Sequence, residues 1–369
     1  MKKILALLGV ATLSASLSLV SANAQVIRNT DLIGNGGNYG APQGYAPHLF
    51  VQPMIFNMGG HTSFQMTGDF AIGGTYARAN ELNQYGGFVE GTVGGTIRQT
   101  SPQGWTFGAT VTATGDATYT HEATDPFAVN ISQDNVEAYA FMDSPTLDVM
   151  AGRFSPEGIE TNGSATLNGV LDTSTVDFSS SVGGNLAGSL GTRQGPWEVI
   201  ATADLDNRQY GGVVWRRPVR TVTPAYGVEV IRDGNFDFAN TPLTGGLATG
   251  EGQLYGGKAG AMMEYGRLTF GASAGLEAFY DDTTRIETQS IYDVGVSNKS
   301  GRYIYGVSGQ HRRSHDENIS SSSVTTDMVI AISTGVNLEL GYQYSRLEDE
   351  ALTDPVHSHV GKADIRLSF

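Results

Sequence analysis

The sequence lacks cysteine altogether, and charged side chains make up only 16% of its residues. Without cysteine, an exported chain has no disulfide framework, so its stability must come from an extensive hydrogen-bonded structure. Basic residues are also scarce: 22 Lys and Arg stand against 37 Asp and Glu, which gives a formal net charge of −15. This acidic excess argues against nucleic acid as a partner.

Long apolar runs are missing beyond the N-terminus. There, two lysines precede an apolar stretch over residues 4–20 and the small-x-small sequence Ala22-Asn23-Ala24. This pattern predicts a cleaved signal peptide over residues 1–24. No later segment supplies the roughly twenty apolar residues of a membrane helix, so the exported chain is either soluble or crosses a bilayer as β-structure.

The sequence is instead rich in segments with a period of two. Residues 105–114 place Trp, Phe, Ala and Val on one face and Thr and Gly on the other, and residues 336–345 show a similar alternation. This is the period of a β-strand with one apolar face, and it differs from the 3.6-residue period of a helix. Glycine, at 49 of 369 residues, agrees with many strands and turns.

Sixteen segments follow this alternation. The predicted strands are residues 64–77, 86–99, 104–115, 134–143, 146–153, 183–192, 197–205, 209–217, 225–232, 252–265, 267–280, 288–298, 301–312, 323–333, 336–346 and 358–369.

The connections between these strands alternate in length. The short ones are 101–103, 143–145, 193–196, the turn at Gly266, 298–300 and 334–335, and the long ones include 116–133, 154–182, 233–251, 313–322 and 347–357. A soluble sandwich has no reason to keep this alternation, whereas a bacterial barrel has short periplasmic turns at one rim and long outer loops at the other. The sequence therefore predicts an all-β transmembrane antiparallel up-and-down barrel of about sixteen strands over residues 64–369.

Aromatic spacing agrees with a membrane barrel. Tyr255 and Tyr265 lie on one face of one predicted strand, and Phe270 and Tyr280 lie on one face of the next. The two aromatic residues of each pair are ten residues apart. With a rise of about 3.3 Å per residue and a strand tilt of about 45°, their separation along the membrane normal is close to the ~25 Å height of the apolar band between aromatic girdles. The spacing therefore fits the apolar belt of such a barrel.

The final predicted strand ends in Phe369, which shares one side with His359, Gly361, Ala363, Ile365 and Leu367, while mostly charged or polar residues lie on the other side. A terminal aromatic residue in this setting resembles the closing strand of Gram-negative outer-membrane proteins. The resemblance implies that Phe369 is the signal read by the barrel-assembly machinery, and that the chain lies among lipids of the outer membrane.

A second resemblance lies in one hairpin. Residues 137–141 (Glu-Ala-Tyr-Ala-Phe), a short turn and residues 147–153 (Leu-Asp-Val-Met-Ala-Gly-Arg) resemble the general porins of alphaproteobacteria, whose hairpin ends in a Gly-Arg pair before a loop that folds into the lumen. The resemblance implies a sixteen-stranded, usually homotrimeric channel for small hydrophilic solutes and ions. It also implies that residues 154–182 fold into the barrel.

The start of the chain departs from that family. Residues 25–63 form a long Gly- and Asn-containing lead-in where such porins enter the first strand almost at once. This lead-in is either a flexible periplasmic tail or a further element. The apolar segment His48 to Met58 can be another strand or a plug, which leaves sixteen or eighteen strands open.

A barrel of this size encloses an aqueous channel whose selectivity comes from width and charge. The resemblance places carboxylates of the inward loop opposite basic residues of the wall. The candidate loop acids are Glu157, Glu160, Asp172 and Asp177. Strand alternation gives the inward basic candidates Lys258, Lys362, Arg98, Arg216 and Arg366, of which the two lysines lie nearer mid-strand.

These wall bases have a second interpretation. They can pair with inward carboxylates simply to satisfy buried charge, and the candidates are Asp69, Glu90, Glu137 and Asp364. From the acidic excess of the whole chain we expect a weak preference for cations.

Other functions are less well supported by the sequence. The pairs His311/His315 and His357/His359 lack the further ligands of a metal site, so neither a metal nor another cofactor is expected. Ser308 and His311 would be the pair of an outer-membrane lipid hydrolase, but the spacing supports this little, and we expect no enzyme. A substrate-specific channel and a non-conducting structural or adhesive barrel remain the alternatives to a diffusion pore.

Overall fold

The structure is a computed structural model that describes residues 54–79, 82–121, 128–154, 186–217, 219, 221–237, 251–281, 283–350 and 354–368. Within these ranges, no helix is long and apolar enough to cross a membrane. The regular structure is a set of strands: β1 Met54–Gly59, β2 Thr62–Ala79, β3 Leu82–Thr100, β4 Thr106–His121, β5 Ala128–Asp143, β6 Leu147–Arg153, β7 Leu186–Gln194, β8 Trp197–Asp204, β9 Arg208–Arg216, β10 Val222–Asp237, β11 Glu251–Tyr265, β12 Leu268–Asp281, β13 Thr284–Ser300, β14 Tyr303–Ser314, β15 Ile319–Ser333, β16 Val336–Asp349 and β17 Val356–Ser368.

Strands β2 to β17 form one closed ring. Each pairs in antiparallel fashion with the strand before and the strand after it in the sequence. The ring closes where β17 pairs with β2, in a register that runs from Ser358 opposite Ala79 to Ser368 opposite Asp69. The prediction of an all-β antiparallel barrel with sixteen ring strands is confirmed.

Each of the sixteen predicted strands corresponds to one observed strand, but the predicted lengths of several loops were wrong. At the rim with the longer connections, β4 continues to His121 and β5 begins at Ala128, so the predicted loop 116–133 shrinks to residues 122–127. In the same way 313–322 becomes 315–318, 347–357 becomes 350–355, and 233–251 becomes 238–250. Near this rim the strands carry polar residues on both faces, so the alternation of apolar and polar residues ends before the backbone pairing does.

Strand β1 lies outside the ring. It pairs with the first residues of β2, from Met54 opposite Met66 to Gly59 opposite Thr62. It therefore occupies the flank of β2 in line with β17, which ends opposite Asp69. The described part of the segment 48–58 is thus a short extra strand, and it does not change the count of sixteen in the ring.

Alternating burial shows the two faces of the wall. In β7 the exposed and buried side chains alternate from Leu186 to Leu190, with Ala187 and Ser189 turned inward. The outward positions carry large exposed apolar residues, including Ile72, Val111 and Val294, which are 61%, 54% and 59% exposed. The barrel thus presents apolar side chains to its surroundings, as a bilayer requires and as water does not.

Outward aromatic residues gather near both ends of the strands. Near the rim with the longer connections, Tyr255 and Tyr280 meet edge to face with ring centroids 5.6 Å apart. Near the rim with the short turns, Trp215 and Tyr226 lie 5.7 Å apart. Two such bands enclose an apolar zone, which is the arrangement expected at the two interfaces of a membrane.

Gly152 explains the glycine of the Gly-Arg pair. Its φ is +142°, a region that residues with a Cβ rarely adopt. A Cβ there would also press on the carbonyl oxygen of Ala138 and come within 2.6 Å of the Cα of Tyr139. Only glycine lets β6 lie this close to β5 just before the chain leaves the wall at Arg153.

Candidate functional site

The interior wall carries two clusters of charged side chains. The first, which we call the seam cluster, surrounds the junction of β17 and β2 and consists of Asp69, Glu90, Glu339, Lys362, Asp364 and Arg366. The second, the hairpin cluster, lies on the consecutive strands β10 to β14 and consists of Glu229, Lys258, Glu277, Glu287, Asp293 and Arg312. All these side chains point inward because they share the parity of the buried positions on their strands.

Arg366 is the centre of the seam cluster. Its Nη2 donates to Glu90 Oε1 at 2.6 Å, and its Nε lies 3.2 Å from Asp69 Oδ1. The Nη1 atom lies 3.6 Å from Glu339 Oε2. One guanidinium group on β17 thus contacts carboxylates on β2, β3 and β16, as its fork of five donors permits.

Lys362 lies four residues before Arg366 on the same inward face of β17. Its Nζ is 3.4 Å from Asp364 Oδ2, 4.0 Å from Glu90 Oε1 and 4.6 Å from the centre of the Phe88 ring. The lysine is almost completely buried. Its charge is therefore compensated within the wall by two carboxylates and an aromatic face.

The hairpin cluster is organised around Asp293 and Arg312. Asp293 accepts hydrogen bonds from Ser273 Oγ and Gln310 Nε2, both at 3.0 Å, and lies 3.7 Å from Lys258 Nζ.

Arg312 Nη1 donates to Glu277 Oε2 at 2.7 Å and to Gln289 Oε1 at 2.8 Å. Gln289 Nε2 in turn donates to Glu287 Oε1 at 2.9 Å. Neutral amide and hydroxyl groups therefore help the ion pairs to stabilise these buried charges.

Both clusters are acidic. The seam cluster has four carboxylates (Asp69, Glu90, Glu339 and Asp364) and two bases (Lys362 and Arg366), which gives a formal charge of −2. The hairpin cluster also has four carboxylates (Glu229, Glu277, Glu287 and Asp293) and two bases (Lys258 and Arg312), again −2. The described wall charges in these two regions therefore have a formal excess of carboxylates over bases.

Three of the five basic candidates lie in these clusters, and two do not. Lys258, Lys362 and Arg366 are cluster members, and the pairing of the last two with Asp69, Glu90 and Asp364 is present. Arg98 is buried away from them and donates from Nη2 to Gln65 Oε1 at 2.7 Å. Arg216 is the last residue of β9, at the rim with the short turns, where its backbone N–H donates to Pro196.

The four candidate loop acids, Glu157, Glu160, Asp172 and Asp177, lie outside the described residues, as does Phe369. Their expected roles stay predictions. The same holds for the signal peptide over residues 1–24 and for residues 25–53 of the lead-in.

Sequence reasoning missed six inward charges of the two clusters, namely Glu229, Glu277, Glu287, Asp293, Arg312 and Glu339. They alternate in parity with outward apolar or aromatic neighbours such as Tyr292, and that parity was available in the sequence. What the sequence does not give is the register that brings them together across strands. Their cluster membership therefore had to come from the structure.

The interior is not uniformly polar. Strands β8 to β10 turn apolar side chains inward that pack together, namely Ile200, Tyr210, Val214, Ala225 and Ile231. In this part of the wall the inward face is therefore apolar as well. By contrast, β3 and β4 turn threonines inward, and Thr96 and Thr110 share a hydrogen bond of 3.0 Å, as do Thr92 and Thr114.

Neither a protein-family model nor a curated protein sequence matches this chain. Its structure nevertheless has the fold of the outer-membrane porins, a closed sixteen-stranded barrel. OprB of Pseudomonas putida is 13% identical with a TM-score of 0.60, and the match covers 83% of this chain and 94% of that one.

An anion-selective porin of Comamonas acidovorans is 12% identical with a TM-score of 0.56, covering 84% of this chain and all of that one. The outer-membrane channel DcaP of Acinetobacter baumannii is 10% identical with a TM-score of 0.54, covering 85% and 99%. At this identity the likeness establishes the fold, and the wall charges of this chain must be considered on their own.

Proposed function

We propose that this protein is an outer-membrane porin of a Gram-negative bacterium, a water-filled channel through which small hydrophilic solutes and ions diffuse passively. One observation carries the proposal: a closed ring of sixteen strands has large apolar residues on its outer face and two charged clusters on its inner face. A ring of this size is too wide for wall side chains alone to fill. Porins and channels of the same fold support it.

The two acidic clusters support a weak preference for cations. Each carries two more carboxylates than bases, and neither Lys362 nor Arg366 is left without a nearby carboxylate. An anion-selective porin shares the fold, so the fold itself does not set the preference. The sign of the wall charge does, because low-dielectric walls focus the field in the channel.

Planar-bilayer recording of the refolded barrel tests the proposal. We expect stepwise currents, a reversal potential under a KCl gradient that favours potassium, and partial block by sugars small enough to enter. A clear chloride preference would refute the cation preference but leave the channel. A barrel that inserts without conducting would favour the structural or adhesive alternative, and saturable flux of a single solute would favour a substrate-specific channel.

The inward loop and the oligomer belong to the same proposal. The inward loop is proposed to narrow the lumen opposite the basic wall residues through Glu157, Glu160, Asp172 and Asp177. We expect the joint replacement of these four acids by the matching amides to lower the preference for cations clearly and to raise the conductance for large cations only slightly.

A homotrimer is proposed as the assembled form. One solved relative, OmpT of Vibrio cholerae, is described in a trimer form. Three equal current steps per insertion would agree.

A lipid hydrolase is the second candidate. The predicted pair Ser308 and His311 is separated by the wall, because Ser308 is buried inward and His311 points outward. His311 does lie beside another serine, with Nδ1 2.9 Å from Ser322 Oγ. The backbone N–H groups around Ser322 take part in pairing with β14 and β16, so few hydrogen-bond donors remain there to stabilise an oxyanion. Fatty-acid release from vesicles that is lost in Ser322→Ala would favour the hydrolase.

A further inference from the structure

The wall of the barrel is lower on one side than on the other. Strands β6, β7, β8 and β9 have seven, nine, eight and nine residues. Every other strand of the ring has at least twelve, and β3 has nineteen. A tilted strand needs about 9–11 residues to cross the apolar part of a membrane, so these four strands barely reach that length. We call β6 to β9 the low wall.

The low wall ends in a tight turn between β8 and β9, at the rim with the longer connections. Asp204 Oδ1 accepts hydrogen bonds from the backbone N–H groups of Asp206 and Arg208, both at 2.9 Å. Leu205, the residue that follows β8, is 76% exposed. The chain reverses direction here, so the wall formed by β8 and β9 does not continue above this turn.

Two tryptophans mark the other end of the low wall. Trp197 of β8 lies opposite Trp215 of β9 at the rim with the short turns, as is typical of a membrane interface. Leu205 follows Trp197 by eight residues. Eight residues extend about 26 Å along a strand, and at a tilt of about 45° they rise about 19 Å. The low wall therefore ends about 6 Å short of the ~25 Å apolar band, which Tyr255 and Tyr265 cover on β11.

Polar groups lie at the top of the low wall. Arg153, the last residue of β6, is exposed on the outer face, and Asp206 and Asn207 form the turn after Leu205. At this height, a wall that faced lipid would place them in hydrocarbon, where a charged side chain is unfavourable. A bilayer would have to thin to meet so short a wall, at a cost in free energy. This face therefore fits a protein neighbour better than it fits lipid.

Below these polar groups the outer face is apolar and shallow. Ala151, Gly188 and Ala203 lie opposite one another across β6, β7 and β8. A Cβ at Gly188 would meet nothing within 4 Å, so a hollow lies there. Leu186 and Leu190 flank it on β7 and are 60% and 53% exposed. The face thus offers both a hollow and protruding apolar side chains, which close packing against a neighbour requires.

We propose that the low wall is the face through which this chain packs against other copies of itself. A second copy presents a wall of the same height, so two low walls in contact cover each other and leave no lipid between them. The inference rests on the homotrimer proposed above, and it assigns the part of the ring that forms the contact.

The charges at the top of the low wall agree with such a ring of copies. Arg153 lies at the β6 edge, and Asp206 lies near the β9 edge. Both are level with Leu186, because Arg153 pairs with it and the backbone N–H of Leu205 donates to it. Rotation about a threefold axis brings one edge of each copy against the other edge of the next. Opposite charges then meet at the same height.

The absence of cysteine from the chain allows a direct test. Ala201→Cys places a single thiol on the outer face of β8, and the control Ala272→Cys places one on the outer face of β12; both alanines are exposed. The full chain in outer membranes is treated with a flexible bifunctional maleimide. We expect covalent dimers of Ala201→Cys on a denaturing gel, because one thiol per chain joins two chains. Ala272→Cys should remain monomeric.

A second pair of variants tests the same face without a cross-linker. Ala201→Trp should weaken association about tenfold, because a large side chain overpacks the contact. Light scattering of the barrel in detergent measures this as a loss of trimers. Ala272→Trp, with the same change on β12, should associate like the unchanged protein. The mobility of unheated samples on a gel confirms that both barrels are folded.

Four results would overturn the assignment: cross-linking of Ala272→Cys alone, equal cross-linking at both positions, no cross-linking at either, or products that join the chain only to a different protein. Loss of trimers in Ala272→Trp but not in Ala201→Trp would do the same. Single-channel recording separates this inference from the pore, because Ala201→Trp should conduct in single steps. A barrel that cross-links through Ala201→Cys but does not conduct would refute the pore and leave the interface.

Discussion

The seam cluster and the hairpin cluster have the same composition of charges but different connectivity. In the hairpin cluster the hydrogen bonds join strands that are close together in the sequence. Gln310 and Asp293 are 17 residues apart, and Arg312 and Glu277 are 35 residues apart. In the seam cluster the Arg366 bond to Glu90 spans 276 residues.

Burial differs as well: the side chains of Arg312 and Glu277 are 7% and 4% exposed, whereas those of Arg366 and Asp69 are 22% and 39% exposed. The same chemistry therefore serves two purposes. The hairpin cluster solvates charge inside a wall that local pairing already forms, and the seam cluster also joins the two ends of that wall.

The largest expected effect is therefore at Arg366. Arg366→Met leaves three carboxylates, those of Asp69, Glu90 and Glu339, without their shared cation, and for this reason we expect a cost of about 4 kcal/mol. The temperature at which the barrel loses its folded mobility on a denaturing gel should fall clearly. Arg366→Lys, which keeps the charge but not the fork, should fall between the two. An unchanged transition in Arg366→Met would contradict a closing role for the seam cluster.

A smaller loss is expected from the corresponding change in the hairpin cluster. Arg312→Met leaves only one carboxylate, that of Glu277, and the neutral Gln289 without a donor, and because this pair is deeply buried we expect a cost of about 3 kcal/mol in the same gel assay. The double variant Arg312→Met/Glu277→Gln should recover most of this loss, because no unpaired charge then remains. If the double variant is as unstable as the sum of the single ones, the pairing is not what stabilises this region.

A neutral donor in the hairpin cluster should matter less again. Ser273→Ala removes one of the hydrogen bonds to Asp293, while Gln310 and Lys258 still compensate the carboxylate. The expected cost is about 1 kcal/mol, measured by denaturant midpoint in detergent. Ser368→Ala is the matched change in the seam cluster, where the hydroxyl donates to Asp69 at 2.7 Å. Because Asp69 is partly exposed to solvent, this change should cost less than Ser273→Ala.

The smallest expected effect is on ion preference, and it should be similar in the two regions. Glu339→Gln/Asp364→Asn changes the seam cluster from −2 to neutral, and Glu229→Gln/Glu287→Gln does the same for the hairpin cluster. Each should lower the potassium-to-chloride permeability ratio about twofold, measured as a reversal potential. If only one pair changes the ratio, the narrow part of the channel lies at that cluster.

Much of this fold could be predicted from the sequence, because a period of two identifies both the strand and its outward face. All sixteen ring strands were found, including β6, which has only seven residues. Strand ends were less predictable. At His121 and Asp349 backbone pairing continues after the apolar alternation stops.

The site was less predictable than the fold. Parity places Lys258 and Asp293 on the inner face, but it cannot show that Lys258, which lies on β11, reaches Asp293 on β13. That contact depends on the register of two intervening pairings and on the stagger of the ring, which alternation leaves free. The inward apolar residues of β8 to β10 show the converse limit, because their pattern alone resembles a lipid-facing one.

The shared flank of β2 restricts how the chain can be extended. A strand continuing β17 beyond Ser368 can pair with Gly68 and Thr67 before it meets Met54 of β1. A peptide fused to the C-terminus must therefore bend out of the sheet or displace β1 from its partner. Purification tags and reporter fusions are better inserted in the connection at residues 315–318, where both neighbouring strands are already paired on each side.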